Sequence, residues 1–562
     1  MMMKGKYYTL LLFLAIQVSV FPVAGQNANA IPPVEKVGLL TDRSLFIAGE
    51  QVQFSAAILS SFQNEESKVL YVELITPNGK SIEGDKFLIV NHAAQGCLAI
   101  PEDAVTGYYY LRAYTKYMRN AGPDAYAYVA LKIVNPLSNE VLQGEEGHAS
   151  SQSNAMQGVG QVFTISLNKS EFAQGENVNA TVSMNEAGRL SFEPLFSVSV
   201  VPEASSFVMP LELPVVKNLS VDSVDFQPET RGISVTGQLM DGTTGQPVTN
   251  GRVNLSIIGQ GRDFEAMQTD SAGRYFFALP AYTGQRDIFL CAETDTLKKP
   301  VLRVDNDFCT LPVHLSSPEF KLSEEERVVA FRMYSNARVS KYFHPDTIRC
   351  IHPEETTVNP FYGRPSDVLV FDNFVQLPTL EEYFNELPSA VKVRKQNGHK
   401  YFKVNGERAE MNYLTPLVMV DWVAVNNPEK ILAASPNNID RIEVVTVPYI
   451  KGNITYGGIV SIISRKGNFA GIDLPNSGIF FNYKFYADTC HCAIKQIVSV
   501  DEPDSRNTVY WNPALQWDDH HRTEISFSVP ATPGRYNIVV QAMQTNGDVY
   551  YQSAKFKVKA EE

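Results

Sequence analysis

The sequence lacks any surplus of positive charge. It has 48 Lys and Arg residues against 61 Asp and Glu residues, and a formal net charge of −13 over 562 residues. A protein that binds nucleic acid needs a basic surface to neutralise phosphates, so the composition argues against nucleic acid as a partner. Hydrophobic residues make up 44% and charged residues 19%, which excludes a disordered chain and favours several globular domains.

Cysteine is also scarce. The six cysteines are Cys97, Cys291, Cys309, Cys350, Cys490 and Cys492. This number permits disulfides but is too small to form a disulfide framework, so hydrophobic cores must stabilise the domains. Cys291 and Cys309 are close enough in sequence for a small disulfide loop, although the connectivity is not determined by spacing.

Long apolar runs are absent except at the start of the chain. Lys4 and Lys6 precede an apolar run over residues 7–20, and small residues allow cleavage after Gly25 or after Ala30. These features predict a removable secretory signal peptide over residues 1–30. The run is shorter than a membrane-spanning helix needs, so we expect an exported protein without a transmembrane segment once the signal has been removed.

Sequence motifs of the common catalytic sites are missing as well. The sequence has no G-x-S-x-G nucleophile motif, no phosphate-binding loop and no dinucleotide fingerprint, so we expect no enzyme activity and no cofactor. Cys490, His491 and Cys492 are metal-ligand types, and they are weak candidates for a metal site because the paired C-x-x-C spacing is absent. A disulfide or free thiols are the alternatives. The segment from Asp518 to His521 is interpreted as a solvated turn.

An internal repeat occupies the first half of the chain. Residues 44–52 (SLFIAGEQV) and 170–178 (SEFAQGENV) share five of nine positions at an offset of 126 residues, since 170 − 44 = 126. Gly49 and Gly175 provide permissive turn positions, and apolar residues alternate in the segment that follows each glycine. The repeat therefore predicts a strand, a turn and a second strand, with Val52 and Phe54 facing one side and Val178 facing the same way in the second copy.

The repeat resembles the macroglobulin-type β-sandwich of alpha-2-macroglobulin-like proteins. The resemblance implies one such sandwich over residues 31–137, a linker over 138–160 and a second, weaker copy over 161–225. Macroglobulins that trap proteases carry a thioester in a Gly-Cys-Gly-Glu-Gln sequence, whereas this chain has only Gly96-Cys97-Leu98. We therefore expect Cys97 to be a buried small apolar residue and not a reactive acyl carrier.

The next segment, residues 226–315, resembles the carboxypeptidase regulatory-type β-sandwich. The resemblance rests on the stretch from Val235 to Val248 and on the Thr-Asp-Ser-Ala-Gly-Arg-Tyr sequence that begins at Thr269. Such modules lack peptidase residues. Asp241 and Asp270 are interpreted as side-chain acceptors in turns and not as metal ligands.

Residues 316–470 have an α+β pattern. Ser323 and Thr379 each begin a capping-box sequence that predicts a helix. The segments 418–425, 435–444 and 456–467 then resemble, in order and spacing, the plug domain of TonB-dependent outer-membrane receptors. Trp422 stands where that family typically has glycine, which puts the tight turn there in doubt. Only 95 residues follow Gly467 (562 − 467), whereas a receptor barrel needs about 220, so we expect a plug-like domain without its barrel.

Residues 471–562 again alternate apolar and polar residues and predict a C-terminal immunoglobulin-like sandwich. Pro533-Gly-Arg-Tyr536 in this segment echoes Thr106-Gly-Tyr-Tyr109 in the first copy. The predicted fold class is mainly β and multidomain, with serial immunoglobulin-like or macroglobulin-type β-sandwiches and one α+β plug-like domain. The combination of modules resembles exported envelope proteins of Bacteroidetes.

The functional expectation is a non-catalytic scaffold that binds other envelope proteins. Its position is predicted to be the periplasm or the outer membrane, where a partner would hold it, and a position at the cell surface is left open. The alternative is an adhesion protein that binds glycans or peptides, because the chain has 26 Tyr and 31 Phe residues. Many of these aromatic residues fall on alternating core positions, which weakens that alternative.

Overall fold

The computed structural model describes thirteen stretches of the chain: residues 35–59, 66–143, 162–185, 195–206, 224–258, 263–293, 299–343, 360–387, 390–406, 408–425, 427–488, 503–544 and 549–560. Strands account for 46% of the structure and helices for 13%, and the strands form several separate sheets. The predicted fold class, mainly β and multidomain, is therefore confirmed. The signal peptide predicted over residues 1–30 lies outside the described residues.

The first β-sandwich comprises residues 35–143. Its strands are β1 (Val37–Thr41), β2 (Leu45–Ile47), β3 (Gln51–Ile58), β4 (Val69–Ile75), β5 (Ser81–Leu88), β6 (Ala93–Ala99), β7 (Gly107–Tyr114) and β8 (Ala127–Val134). One sheet has the order β1-β3-β6 and the other β2-β8-β7-β4-β5. Val52, Phe54 and Ala56 of β3 are fully buried between the sheets, as the alternation predicts.

The second copy of the repeat begins with four strands, β9 (Phe163–Leu167), β10 (Glu171–Phe172), β11 (Asn177–Met184) and β12 (Leu195–Pro202). They correspond to β1, β2, β3 and β4 at the same offset of 126 residues. Four short strands cannot close a two-layer core, because each sheet needs neighbours on which to bury its apolar face. The missing strands come from the end of the chain.

The C-terminal strands complete this second copy. They are β29 (Tyr510–Asn512), β30 (Arg522–Ser528), β31 (Gly534–Met543) and β32 (Val549–Val558). The sheet order β10-β32-β31-β12-β29 matches β2-β8-β7-β4-β5, and the partner sheet β30-β11-β9 matches β6-β3-β1. Residues 162–206 and 503–560 thus form one domain, which we call the split sandwich. The prediction of two separate sandwiches in residues 161–225 and 471–562 is wrong on this point.

Local geometry is repeated in the two copies. The amide of Ile47 donates to the Glu50 carboxylate at 2.7 Å, and the amide of Ala173 donates to Glu176 at 3.0 Å. The Tyr109 hydroxyl donates to the Val105 carbonyl at 2.9 Å, and the Tyr536 hydroxyl donates to the Thr532 carbonyl at the same distance. These tyrosines explain the sequence echo between residues 106–109 and 533–536 as equivalent corners of the two sandwiches.

The rest of the chain is inserted between β12 and β29. In the first sandwich the equivalent strands β4 and β5 are joined by the short turn at Thr76 to Gly79, where Gly79 has φ of 84°. A hairpin turn at the surface tolerates insertions because few buried backbone groups depend on it. The second copy uses this position to carry residues 203–509.

The insertion begins with a third sandwich, residues 224–317. Its strands are β13 (Ser234–Asp241), β14 (Arg252–Ile258), β15 (Phe264–Gln268), β16 (Arg274–Ala278), β17 (Gln285–Glu293) and β18 (Pro300–Val304). The Asp241 carboxylate accepts the Thr243 amide at 2.7 Å, and the Asp270 carboxylate accepts the Ala272 amide at 2.9 Å. Both aspartates therefore stabilise turns, as predicted.

Helix α1 (Glu324–Phe343) connects this third sandwich to an α/β module, residues 360–475. The elements of the module are β19 (Asp367–Val370), α2 (Leu380–Glu386), β20 (Val391–Gln396), β21 (His399–Val404), β22 (Leu417–Val420), β23 (Val423–Ala424), α3 (Pro428–Leu432), β24 (Ile439–Val445), β25 (Tyr449–Lys451), β26 (Ile454–Tyr456) and β27 (Ile459–Ser464). Its central sheet has the order β19-β24-β27-β22-β23. Strand β28 (Ile479–Lys484) then leaves the module and pairs with β17 of the third sandwich, so the predicted C-terminal domain over residues 471–562 is wrong at its start: it includes the end of the α/β module and a strand of the third sandwich.

Short 3-10 turns complete the secondary structure. They are Tyr117–Asn120, Pro123–Ala125, Glu203–Ser205, Phe371–Asn373, Ala409–Asn412, Pro436–Asn438 and Phe469–Gly471.

The tight turn at Trp422 is present although the residue is not glycine. Asp421 has φ of 44° and Trp422 has φ of 75°, and a left-handed conformation costs about 1–2 kcal/mol at such residues. The Asp421 carboxylate accepts the amides of Ser464 at 2.8 Å and Phe469 at 2.7 Å. Trp422 is buried and stacks on Tyr362 with ring centroids 5.9 Å apart, so packing and hydrogen bonds offset the backbone strain.

The first sandwich is buried on both faces of its larger sheet. Every residue of β4 and of β7 is buried. The outer face is covered by the third sandwich and by the segment that follows β18, residues 305–317, which we call the strap. Arg112 pairs with Glu73 at 2.7 Å and donates to the Cys309 carbonyl at 2.9 Å. The Tyr110 hydroxyl donates to the Ser316 carbonyl at 2.5 Å. The strap is thus fixed by polar groups of β7.

Cys97 differs from the expectation: it is half-buried and disulfide-bonded, so it is not the buried small apolar residue that we predicted. Cys291 and Cys309 are free and buried, and they do not form the small loop that their spacing permits. They lie in different hydrophobic clusters, Cys291 beside Phe289 and Val423 and Cys309 in the core shared with the first sandwich.

The split sandwich can be tested by a disulfide across its two chain segments. Thr181 of β11 lies opposite Glu524 of β30, and facing residues of antiparallel strands are close enough for a disulfide. We expect Thr181→Cys with Glu524→Cys to crosslink on mild oxidation, as detected by peptide mass spectrometry. Thr181→Cys with Lys555→Cys, on the other sheet, is the control. Failure of the first pair, or equal crosslinking of both, would contradict the shared sheet.

Candidate binding cleft

A cleft of about 310 Å³ lies between helix α1 and the split sandwich. Its lining comprises Pro202, Glu203, Ala204, Glu324, Glu325, Val328, Val329, Arg332, Met333, Asn336, Arg506, Asn507, Thr532, Gly534, Arg535 and Tyr536. One wall is therefore a helix from the insertion, and the other wall consists of loops of the split sandwich. The cleft exists only because the insertion folds back onto the domain that carries it.

Helix α1 is held in place at its N-terminus. The predicted capping box is formed, since the Ser323 amide donates to the Glu326 carboxylate at 2.8 Å and the Glu326 amide donates to the Ser323 hydroxyl at 3.1 Å. Glu326 also pairs with Lys132 of the first sandwich at 2.6 Å. Ala330 and Met333 pack against β2, so one side of the helix is a buried contact with the first sandwich.

A polar junction below the cleft joins α1 to both sandwiches. Asn507 Nδ2 donates to Glu50 Oε1 at 2.6 Å and to the Met333 carbonyl at 3.0 Å. Glu50 Oε1 also pairs with Arg43 at 3.0 Å. Glu50 therefore has two roles. It accepts the Ile47 amide in the turn of the first repeat copy, and it accepts the Asn507 side chain that also contacts α1.

Asp42 lies at the centre of this junction. Its carboxylate accepts the Thr508 hydroxyl at 2.5 Å and the Gln53 amide at 3.2 Å, and it lies 3.4 Å from Arg43 Nε. Burial is the largest effect and raises the pKa of Asp42 from 3.8 to about 6, although Arg43 and Thr508 act to lower it. The carboxylate is therefore partly neutralised below neutral pH.

Charges of both signs line the cleft. Arg332 Nη1 donates to the Pro533 carbonyl at 2.8 Å, and the Arg506 guanidinium is held by Asp504 at 2.7 Å. Glu203 pairs with Lys555 at 2.5 Å. Pro202, Ala204 and the apolar side chains of α1 contribute an apolar surface, so the cleft offers hydrogen-bonding and apolar contacts of the kind that hold a peptide segment.

Apolar side chains continue from the cleft along the outer side of α1. Val328 is 44% exposed, Phe331 is 71% exposed and Tyr342 is 79% exposed. Their spacing of three and eleven residues places them on one side of the helix. A helix that is apolar on the buried side and also on the outer side presents a surface suited to another protein.

The predicted site residues Cys490, His491 and Cys492 lie outside the described residues, so the metal site stays a prediction. Among the described residues, no group of three or more His, Cys, Asp or Glu side chains could hold a metal ion. Asp518 accepts the amides of His520 at 2.9 Å and Arg522 at 2.7 Å, which is the turn that we predicted there.

Sequence reasoning missed the cleft because its walls come from distant parts of the chain. The apolar residues on the outer side of α1 were a usable signal. Val328 and Phe331 fall on a different side of the helix from Ala330 and Met333, and a helix with two apolar sides needs two partners.

Comparison with known proteins gives structural neighbours only. No family model matches the sequence, and no curated protein matches it. A single-site mutant of Salmonella alpha-2-macroglobulin matches 97% of this chain and 40% of its own length, with 9% identity and a TM-score of 0.23. Escherichia coli alpha-2-macroglobulin activated by porcine elastase matches 94% of this chain and 44% of its own length, with 11% identity and a TM-score of 0.23. The chain thus spans less than half the length of these macroglobulins.

An Escherichia coli adhesin, FdeC, matches 48% of this chain and 64% of its own length, with 10% identity and a TM-score of 0.15. Among the described residues, no helix is sufficiently long and apolar to span a membrane.

Asp42 makes the junction sensitive to pH. Because the folded-state pKa of about 6 exceeds the ordinary value of 3.8, the folded protein binds this proton more readily, and stability rises as the pH falls from neutral towards 5. Between pH 7.5 and pH 5 this contribution is roughly 1–2 kcal/mol. We expect Asp42→Asn to remove this pH-dependent contribution to the free energy of unfolding, as measured by urea denaturation at pH 7.5 and pH 5. An unchanged pH slope in the variant would contradict this assignment, and Asp372→Asn, at an exposed carboxylate, is the control.

Proposed function

We propose that this chain is a non-catalytic, exported scaffold that binds other envelope proteins. The observation that carries the proposal is the outer side of α1, where Phe331 and Tyr342 are mostly exposed beside the cleft. Exposed aromatic side chains next to a concave surface are typical of protein interfaces, in which a few large residues supply most of the binding energy.

The position of α1 supports this role. The helix is fixed to the first sandwich by Glu326 and to the split sandwich through Asn507, so a partner would meet a surface that is already ordered. Preorganised surfaces bind more tightly because less conformational entropy is lost on association. The surrounding sandwiches act in this account as the rigid support for one helix.

We further propose the identity of the modules. Two sandwiches with the same strand order, the same glutamate-closed turn and the same tyrosine corner are the basis for the macroglobulin-type interpretation. The α/β module is interpreted as a plug-type domain used for protein binding, and its residue order is the basis for that interpretation. Export through the N-terminal signal, to the periplasm or the outer membrane of a Bacteroidetes-type envelope, completes the proposal.

The binding role can be tested with matched surface variants. Phe331→Ser and Tyr342→Ser alter exposed side chains, and Tyr413→Ser, at a residue of the α/β module that is 91% exposed, is the control. We expect a partner crosslinked to the wild-type protein in native envelopes to be captured by the control. Its affinity for the α1 variants should be at least about tenfold weaker, since interface aromatics contribute 2 kcal/mol or more. Equal affinity for all variants would remove α1 from the interface.

The second candidate function is glycan or peptide adhesion, and two exposed tyrosines favour it. Tyr342 and Tyr413 are 79% and 91% exposed, and aromatic side chains stack on sugar and peptide groups. Many other tyrosines are buried, Tyr71, Tyr110 and Tyr114 among them, so they are unavailable for such contacts.

A glycan and peptide array with the purified protein tests this second function. Adhesion predicts signals that are lost in Tyr342→Ser or Tyr413→Ser and kept in Lys395→Ser, which alters an exposed residue without an aromatic ring. A blank array would argue against adhesion and leave the scaffold proposal in place.

A further inference from the structure

We propose that Lys86 and Asp307 become joined by an amide bond between Lys86 Nζ and Asp307 Cγ, which the folded protein forms by itself. The bond would connect β5 of the first sandwich to the strap that follows β18. It would be a covalent crosslink between residues 221 positions apart, in addition to any disulfide.

The two side chains are in contact and shielded from solvent. Lys86 Nζ touches Asp307 Oδ2 and donates a hydrogen bond to the Lys484 carbonyl at 2.7 Å. The side chains of Lys86 and Asp307 are only 2% and 12% exposed. The bond to Lys484 fixes the direction of the amine, so the nitrogen is held against the carboxyl group. Groups positioned in this way reach effective concentrations of about 10⁵–10⁸ M.

Burial of Lys86 favours its uncharged form. The ring of Tyr483 covers the amine, with its centroid 3.9 Å from Lys86 Nζ. Burial lowers the pKa of Lys86, although Asp307 acts to raise it. Part of the Lys86 population therefore carries a neutral amine at the point where it touches the Asp307 carboxyl group. An amine in this form is a nucleophile.

Lys116 supplies a positive charge where negative charge develops. Its Nζ lies 3.7 Å from Asp307 Oδ1 and 3.8 Å from Glu229 Oε1. Glu229 is fully buried, accepts the Tyr71 hydroxyl at 2.9 Å, and has a pKa that burial raises. Attack by the amine places negative charge on Oδ1, and a neighbouring cation stabilises it in a site without bulk water.

The reaction is a condensation that balances without any further reactant. The Nζ–Cγ bond forms, the bond from Cγ to Oδ2 breaks, and Oδ2 leaves as water with two of the three protons of the Lys86 ammonium. An ammonium and a carboxylate thus become one secondary amide and one water molecule. Neither side chain changes oxidation state, and no oxidant, metal or cofactor is needed.

A partly exposed pair in the same chain provides the control. Lys400 Nζ lies 2.6 Å from Glu381 Oε2, and these side chains are 33% and 36% exposed. Solvent screens this contact, so it should remain an ion pair. The comparison separates the effect of burial from the effect of proximity.

The crosslink would restrain the joint between the first and third sandwiches. It would keep the strap on the outer face of the larger sheet even when the hydrogen bonds around it open. A covalent link of this kind stabilises a protein mainly by restricting the unfolded chain, as a disulfide does, but it resists reduction.

The test is the mass of the purified full-length mature chain after reduction of disulfides. We expect a mass lower than the sequence mass by one water molecule, and a branched proteolytic peptide in which Lys86 and Asp307 are joined. Lys86→Arg keeps the positive charge but should restore the full mass. The peptides with Lys400 and Glu381 should be linear in every sample.

Recovery of Lys86 and Asp307 only in separate linear peptides from the wild-type protein would overturn the proposal. A water loss that maps to another position, such as a succinimide at Asp241-Gly242, would also count against it. Because the wild-type mass decides the question, the result does not depend on whether Lys86→Arg folds. Lys116→Met is expected to slow bond formation by about 10²-fold, and formation at an unchanged rate would contradict the role given to Lys116.

Discussion

The structure depends on how the outer face of the larger sheet of the first sandwich is covered. A sandwich normally leaves the outer face of each sheet in water. Here that face carries the fully buried Arg112–Glu73 pair, whose guanidinium also holds the Cys309 carbonyl. Uncovering it would expose a large aromatic and apolar surface, and covering it without the strap would leave charges without partners. The first sandwich and the insertion therefore have complementary surfaces and pack together as one body.

This covering explains the path of the chain. The insertion leaves the split sandwich after β12, forms the third sandwich on the first one, continues along α1 to the α/β module, and comes back through β28 to the third sandwich. Helix α1 then contacts both copies of the repeat through Glu326 and Asn507. The candidate cleft is a consequence of this path, because the cleft lies where α1 meets the split sandwich.

The sequence allowed much of the local structure to be predicted. The 126-residue repeat, the capping box at Ser323 and the turn roles of Asp241 and Asp270 each depend on residues that are close in the chain, so composition and spacing are sufficient. The split sandwich could not be predicted in this way, since β11 pairs with β30 across most of the chain. The echo between residues 106–109 and 533–536 pointed to it, but a sequence echo does not say which strands share a sheet.

Other differences between the sequence predictions and the structure also arise from contacts between distant segments. The turn at Trp422 holds because Asp421 and the rings around Trp422 compensate for the missing glycine, and these contacts come from distant segments. The free state of Cys291 and Cys309 follows from their location in different clusters, which their closeness in sequence obscured. The cleft was missed because no single segment contains both of its walls.

The central claim is that the Arg112–Glu73 pair holds the insertion on the first sandwich. Hydrogen exchange of the Glu73→Gln variant, followed by mass spectrometry, tests it most directly, because the variant leaves the Arg112 charge buried without its partner. The account predicts that amides of the strap, residues 305–317, and of β7 lose protection together, while the α/β module exchanges as in the wild-type protein. Unchanged protection of the strap, or loss of protection in β7 alone, would contradict it.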